Sequence, residues 1–220
     1  MSRVFRALLA AALAVLLLVW GMLLFAHVSP RGSALLARIE TALGLAREGS
    51  GLVLPAGTEI GGPFQLVDPS GRSVSEADFR GRWMLVYFGY TFCPDLCPTE
   101  LQTMAAALDR LGPAAANVAP LFITIDPERD TPSVLANYVK LFDPRIVGLT
   151  GSASAIAAAA RNFRVYYAKV PGKDGAPYLM DHSSLIYLMD PQGRLAALFD
   201  QGTTARDLAD AIRSHMARSG

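Results

Sequence analysis

The sequence contains little cysteine and no excess of charge of either sign. Only two of its 220 residues are cysteine, which excludes a small scaffold held together by several disulfides. Twenty lysine and arginine residues are matched by 19 aspartate and glutamate residues, so the formal net charge is +1. A chain so balanced lacks the basic surface that nucleic acid phosphates require. We therefore expect no nucleic acid partner.

The composition is that of a folded protein. Hydrophobic residues make up 52% of the chain and charged residues 18%, a balance that excludes disorder for most of it. A single domain is the default at this length, because a core of ~150 to 190 residues buries enough apolar surface to be stable without help. The sequence therefore predicts one folded body.

The longest segment without charge lies near the amino terminus. No charged residue occurs between Arg6 and Arg31, and the interval from Ala7 to Pro30 is almost entirely apolar. Such a run crosses the ~30 Å hydrocarbon layer as one helix. A cleaved signal peptide would have an apolar region of only ~7 to 15 residues followed by a small-x-small cleavage site. We therefore predict an uncleaved membrane anchor at residues 1–30.

The charges around this anchor bear on its location. Removing Arg3, Arg6 and Arg31 from the 20 cations leaves 17 against 19 acids, so the body itself is not a basic surface that would bind anionic lipid. Arginines lie on both sides of the anchor, so the preference of positive charge for the cytoplasmic side favours neither orientation strongly. Because no transit peptide rich in arginine and serine is seen, we favour a bacterial inner membrane, single-pass, with the C-terminal domain in the periplasm. A mitochondrial inner membrane facing the intermembrane space is the alternative.

Glycine and proline punctuation divides the rest of the chain. Residues 31–60 are predicted to be a linker and residues 61–220 the folded domain. The hydrophobic patterns predict an α/β fold with a mixed central sheet and helices on both faces. Strands are expected at 64–68, 83–90, 121–125, 146–149, 164–170, 184–190 and 195–199, helices at 98–111, 132–142, 152–162 and 204–216, and a long loop at 171–181.

Two cysteines stand between a buried strand and a helix, in the segment GYTFCPDLCP. Cys93 and Cys97 each precede a proline, which disfavours helical backbone, so we predict a loop that ends with Pro98 at the first helical position. Cys97 would then lie at a helix N-terminus, where the partial positive charge favours the thiolate. A plain disulfide is a poor alternative, because so short a loop restricts the unfolded chain very little.

The spacing of the cysteines bears on their chemistry. Disulfide oxidoreductases of the thioredoxin type carry C-x-x-C, whereas this chain carries C-x-x-x-C. The extra residue gives two thiolates room to converge on one ion. Two thiolates with one nitrogen form a soft site that selects copper, especially Cu(I), over hard cations. The spacing alone leaves thiol–disulfide exchange open.

His182 and Asp126 are the further candidates. His182 follows the long loop at the mouth of a core strand, where its position fits a metal ligand and a packing residue equally well. His27 lies at the outer end of the anchor and His215 in an exposed part of the last helix, so neither is expected to bind a metal. Asp126 follows the buried strand at 121–125, where it either supports the cysteine site or caps the next helix.

Three segments resemble a known family. GYTFCPDLCPTEL, IDPERDTP and DHSSLIYLMDPQGR occur in this order and are similar to the Sco/SenC family of copper-binding proteins, which have a thioredoxin-like fold. The resemblance covers roughly residues 55 to 218. It implies that Cys93 and Cys97 supply thiolates and His182 an imidazole to Cu(I) or Cu(II), with Asp126 in a supporting position. Some relatives have histidine where this chain has Phe92, so no extra ligand is expected there.

The resemblance also implies a function. Family members assist the metallation of heme-copper respiratory oxidases, chiefly the binuclear copper centre of cytochrome c oxidase. The implied partners are the oxidase subunit that carries the copper site, and other copper chaperones or thiol–disulfide reductants. The chain would then be a metallochaperone and not an enzyme. A tethered thiol–disulfide oxidoreductase that uses Cys93 and Cys97 as a redox pair is the alternative, and it would not need His182.

Overall fold

The computed structural model describes residues 59–172 and 175–219. The predicted anchor at 1–30 and nearly all of the predicted linker at 31–60 lie outside the described residues. Within the described ranges, no helix combines the length and the apolar character needed to cross a membrane.

Strands and helices alternate along the described chain. The strands are β1 (Gln65–Val67), β2 (Ser73–Ser75), β3 (Trp83–Gly89), β4 (Val118–Thr124), β5 (Val147–Leu149), β6 (Tyr167–Val170), β7 (Leu179–His182), β8 (Ile186–Met189) and β9 (Leu195–Phe199). The α-helices are α1 (Leu96–Leu111), α2 (Pro132–Lys140), α3 (Ala153–Asn162) and α4 (Ala205–Ser219), and 3-10 helices occupy Glu76–Phe79 and Gly112–Asn117.

A five-stranded mixed sheet forms the centre of the domain. Its order is β5-β4-β3-β8-β9, with β4 parallel to both of its neighbours and β8 antiparallel to β3 and β9. Every residue of β3 and β4 is buried, so both faces of these strands are covered. Continuous apolar runs such as WMLVYFG are typical of parallel strands covered on both faces. The predicted mixed central sheet is confirmed.

Two hairpins lie outside this sheet, and both differ from the prediction. β1 pairs with β2, and β6 pairs with β7 in an antiparallel hairpin that places Tyr167 opposite His182. The stretch 164–170 is therefore not a strand of the central sheet, and the end of the predicted loop 171–181 is strand. The sequence of β7 gives little indication of this, because Met180 is its one buried residue.

Helix α1 begins earlier than predicted. It starts at Leu96, which places Cys97 within its first turn and not in the preceding loop. Pro98 is tolerated there because the first N–H groups of a helix have no intrahelical partner to lose.

Gly89, the last residue of β3, permits close packing of this first turn. A Cβ at Gly89 would lie 2.7 Å from the Cys97 sulfur and 2.8 Å from Cε2 of Phe122. Such distances are well inside van der Waals contact, so a side chain at this position would push α1 away from the end of the strand. The absence of a side chain at Gly89 thus sets where Cys97 lies.

We expect Gly89→Ala to lower the free energy of unfolding by about 1–3 kcal/mol, the usual cost of overpacking a core. Gly148→Ala is the matched control, because Gly148 lies on β5, away from the cysteines, and its Cβ would lie 2.9 Å from Cβ of Leu135 in α2. Urea unfolding should show a loss of stability in both variants, whereas only Gly89→Ala should also change the alkylation rates of the cysteines. Unchanged stability and cysteine reactivity in Gly89→Ala would contradict this packing.

Glu100 gives the fold a pH dependence. Its side chain lies on the buried face of α1, and the residue is only 5% exposed. Burial, with the charge of Asp200 nearby, raises the pKa of Glu100 to about 7. Between its ordinary pKa of 4.5 and about 7, the folded state holds a proton that the unfolded state releases, so stability falls as pH rises through this window.

We expect Glu100→Gln to remove this decline. A pKa raised from 4.5 to about 7 corresponds to on the order of 3 kcal/mol of stability lost by the unmutated chain across that window. Urea unfolding at several pH values gives the free energy of unfolding of both proteins. The difference between the two curves reports Glu100 alone, because the other titrating groups are common to both. Parallel stability curves for the two proteins would contradict the assignment.

Candidate metal centre

Three side chains from separate elements converge at one edge of the domain. Cys93 lies in the loop after β3, Cys97 in the first turn of α1, and His182 at the end of β7. One ligand atom from each, two sulfurs and a ring nitrogen, lie within 4.8 Å of one another. The structure thus brings together the three residues that the sequence predicted as metal ligands.

Cys93 is the acidic thiol of the pair. Its sulfur accepts a hydrogen bond from the Cys97 backbone N–H at 3.4 Å. This N–H lies in the first turn of α1 and therefore has no acceptor within the helix. A hydrogen bond from the Cys97 thiol, joined by the one from this N–H group, lowers the pKa of Cys93 to about 3. The half-buried Cys93 is therefore a thiolate at neutral pH.

Cys97 has the opposite character. It is fully buried, and its pKa is raised, first by its hydrogen bond to the Cys93 sulfur and then by burial. The expectation that the helix N-terminus favours the thiolate of Cys97 is therefore wrong. Because α1 begins at Leu96, the N–H of Cys97 in its first turn points to the preceding cysteine, so the effect falls on Cys93.

His182 is oriented as a ligand. Its Nδ1 lies 2.9 Å from the carbonyl oxygen of Ser183, and its Nε2 lies 3.6 Å from the Cys97 sulfur. A carbonyl can only accept, so Nδ1 carries the proton, and the lone pair of the neutral ring is on Nε2, facing the sulfurs. The rings of Tyr87 and Tyr90 meet the imidazole edge-on, at centroid distances of 6.2 and 6.0 Å.

Asp126 lies beside the centre but does not join the three ligand atoms. Its buried carboxylate pairs with Arg129 and accepts a hydrogen bond from the Tyr178 hydroxyl at 2.8 Å. The Arg129 guanidinium lies over the rings of Tyr178 and Phe92, at 3.8 and 4.8 Å from their centroids. Asp126 thus fixes the cation that packs on Phe92, the residue just before Cys93.

Asp130 is a positioning residue that the sequence did not reveal. This buried carboxylate accepts hydrogen bonds from the N–H and hydroxyl of Thr91, at 3.0 and 2.6 Å, and from the Thr124 hydroxyl at 2.6 Å. It therefore ties the loop that carries Cys93 to the end of β4. Burial raises the pKa of Asp130. Its place in the segment IDPERDTP, four residues after Asp126, is the sequence signal that could have identified it.

The remaining histidines lie elsewhere. His215 is half-buried against Trp83, with ring centroids 6.1 Å apart, and burial lowers its pKa. The sequence predicts an exposed histidine here, and the structure differs because α4 packs on α1 near the start of β3. Trp83 is at the opposite end of β3 from Gly89, so His215 is remote from the cysteines. His27 lies outside the described residues.

The donor set fits a soft metal. Sulfur and imidazole ligands favour Cu(I) or zinc over hard cations. Structural zinc sites are almost always four-coordinate, and within residues 59–172 and 175–219 no fourth histidine, cysteine or carboxylate joins the group. Cys93 and His182 are partly exposed, so one side of the centre remains open. Two sulfurs and an imidazole with an open side suit Cu(I), whereas a zinc ion held by the same three residues would need a water as its fourth ligand.

Comparison with known proteins gives matches across this domain. A family model described as SCO1/SenC matches residues 54–217. "Protein SCO2 homolog, mitochondrial" from Bos taurus is 46% identical over 158 residues, which are 71% of this chain and 59% of the bovine protein. The chain therefore spans about three fifths of the length of this curated relative.

Solved structures share the fold. Arabidopsis thaliana ScoI with copper bound is 41% identical, and the match covers 72% of this chain and 99% of that one with a TM-score of 0.69. Bradyrhizobium japonicum ScoI with copper bound is 46% identical, and the match covers 70% of this chain and 98% of that one with a TM-score of 0.65. BsSco, a member of the Sco family of cytochrome c oxidase assembly proteins in which a disulfide switch was identified, is 25% identical. That match covers 76% of this chain and 98% of BsSco with a TM-score of 0.58. These likenesses confirm the predicted thioredoxin-like α/β fold.

We expect the two cysteines to react at very different rates in the reduced, metal-free chain. Because Cys93 is a half-buried thiolate and Cys97 a buried thiol, iodoacetamide should modify Cys93 about tenfold faster or more, at a rate nearly constant between pH 6 and 8. Mass spectrometry of the labelled peptides measures both rates. In Cys93→Ser, the remaining Cys97 should react more slowly than a free cysteine. Faster labelling of Cys97 in the unmutated chain would reverse the assignment.

Proposed function

We propose that the chain, which belongs to the SCO1/SenC family, binds one copper ion through Cys93, Cys97 and His182 and delivers it to a heme-copper respiratory oxidase. The intended site is chiefly the binuclear copper centre of cytochrome c oxidase. The observation that carries the proposal is the convergence of two sulfurs and one imidazole nitrogen within 4.8 Å. The copper-bound structures of similar proteins support it.

The three ligands are prepared for copper to different extents. The Cys93 thiolate and Nε2 of His182 already face the centre. Cys97 must lose its proton on binding, so copper loading should release protons. Soft sulfur ligands hold Cu(I) tightly, and the imidazole also suits Cu(II). The set therefore accommodates both oxidation states of the copper that the chain would carry.

Delivery would take place at a protein interface. Phe92 and Leu96 directly precede Cys93 and Cys97 and are 49% and 39% exposed, so each ligand cysteine has an accessible apolar neighbour in the chain. A partner docked there excludes water while its own ligands replace those of this chain one at a time. We propose the oxidase subunit that carries the copper site as that partner.

Other partners follow from the chemistry of the thiols. A disulfide between Cys93 and Cys97 would abolish copper loading, because the thiolate is the metal ligand. We therefore propose that a thiol–disulfide reductant keeps the pair reduced and that another copper chaperone supplies the metal.

The proposed location rests on the apolar interval from Ala7 to Pro30. Residues 1–30 would anchor the chain in a bacterial inner membrane, residues 31–60 would act as a linker, and the domain at 61–220 would face the periplasm. A mitochondrial inner membrane is the alternative, and the name of the bovine relative includes the word mitochondrial.

Thiol–disulfide exchange is the second candidate function. The observation that favours it is the pairing of a half-buried thiolate at Cys93 with a buried thiol at Cys97, since the first could attack a partner's disulfide and the second could resolve the mixed disulfide. This activity needs only the two cysteines, so it would survive the loss of His182.

Copper titration of the full chain, reduced and without oxygen, tests the proposal. We expect one copper per chain, and we expect His182→Ala and Cys97→Ser to lower Cu(I) retention against a competing chelator by more than about 100-fold, beyond the usual cost of a change outside the ligand set. His215→Ala is the matched control and should bind copper like the unmutated chain.

A different pattern of copper retention would contradict the proposal. If the unmutated chain loses its copper to the chelator, and the Cys93–Cys97 disulfide forms and reduces at the same rate in His182→Ala, then the chain is an oxidoreductase and His182 is a packing residue. Equal copper loss in His215→Ala would instead show that the effect of His182→Ala comes from general loosening of the fold.

A further inference from the structure

Tyr87 places a hydroxyl group inside the core beneath the centre. The residue is 0% exposed and belongs to β3, where it pairs with Phe122 of β4 and Ile186 of β8. Its ring stacks on Phe122. A hydroxyl buried at this position costs free energy unless it is hydrogen-bonded.

The hydroxyl of Tyr87 has two partners. It lies 2.8 Å from the Ser184 hydroxyl and 3.8 Å from the Cys97 sulfur, to which it donates. Both residues lie beside the ligand set, since Ser184 follows His182 by two positions and Cys97 belongs to it. Removing the Tyr87 oxygen would therefore change the surroundings of one sulfur without touching any of the three ligands.

The direction of these bonds follows from counting protons. A tyrosine hydroxyl has one proton to donate, and a thiolate sulfur can only accept. When Cys97 is a thiolate, as metal binding requires, the Tyr87 proton must point to that sulfur. The Ser184 hydroxyl then donates to the Tyr87 oxygen, which strengthens Tyr87 as a donor because hydrogen bonds in a chain polarise one another.

The two sulfurs are therefore hydrogen-bonded by different kinds of group. Cys93 accepts from the Cys97 backbone N–H, which no substitution other than proline removes. Cys97 accepts from a side chain, which Tyr87→Phe removes while keeping the ring. Hydrogen bonds to a ligating sulfur draw electron density from it and are known to tune the reduction potential of copper and iron–sulfur sites.

We infer that Tyr87, backed by Ser184, is a positioning residue that donates a hydrogen bond to the Cys97 thiolate and thereby favours Cu(I) over Cu(II) at this centre. The inference rests on the proposed copper-binding function. It assigns the oxidation-state preference of the site to a hydroxyl outside the ligand set, and the ligands themselves remain Cys93, Cys97 and His182.

The test compares the full chain with Tyr87→Phe and Ser184→Ala. The measurements are the affinities for Cu(I) and for Cu(II), each against a competing chelator, and the energy of the sulfur-to-Cu(II) absorption band. Tyr187→Phe is the matched control, since Tyr187 is a buried tyrosine of β8 whose ring packs against Phe88 and Phe163.

In Tyr87→Phe we expect the ratio of Cu(I) to Cu(II) affinity to fall about tenfold, equivalent to a potential lower by ~59 mV for a one-electron couple, and the band to move to longer wavelength. Ser184→Ala should shift both in the same direction by less, and Tyr187→Phe should change neither.

An unchanged ratio and band in Tyr87→Phe, in a chain that still binds copper, would overturn the inference and leave the proposed function intact. An equal shift in Tyr187→Phe would also overturn it, because general loosening of the core would then be the cause. Failure of the unmutated chain to bind copper would overturn the proposed function and this inference together.

Discussion

The contact between the first turn of α1 and the end of β3 determines the rest of the centre. Because Gly89 has no side chain, the Cys97 sulfur can lie against the strand and be fully buried. The same contact turns the Cys97 N–H group toward Cys93 and brings the Cys97 sulfur within reach of the Tyr87 hydroxyl. One close approach between backbone and sulfur thus gives two neighbouring thiols opposite acidities.

A second support comes from the hairpin of β6 and β7. It carries His182 to the cysteines, and the Tyr90 hydroxyl accepts a hydrogen bond from the Met180 N–H at 3.2 Å, which joins the hairpin to the segment that follows β3. The Ser183 carbonyl then fixes the imidazole tautomer. The third ligand is therefore oriented by the folded chain before any metal binds, which lowers the ordering cost of binding.

The sequence predicts the buried strands and the ligand residues well, and the short exposed strands and helix boundaries poorly. The continuous apolar run of β3 identified a buried strand, and the motifs identified the cysteines and His182 that the fold brings together. The pairing of β6 with β7 escaped because a strand with one buried residue has no clear alternation. The acidity of Cys93 escaped because it depends on where α1 begins, and helix boundaries are the least predictable feature of a sequence.

X-ray absorption at the copper edge of the Cu(I)-loaded chain tests most directly whether two cysteines and one histidine form a single copper site. Such a site predicts an inner shell of two sulfurs and one nitrogen, with the outer-ring scattering of an imidazole, and the loss of that scattering in His182→Ala. A shell of sulfur alone, or a spectrum that His182→Ala leaves unchanged, would contradict it.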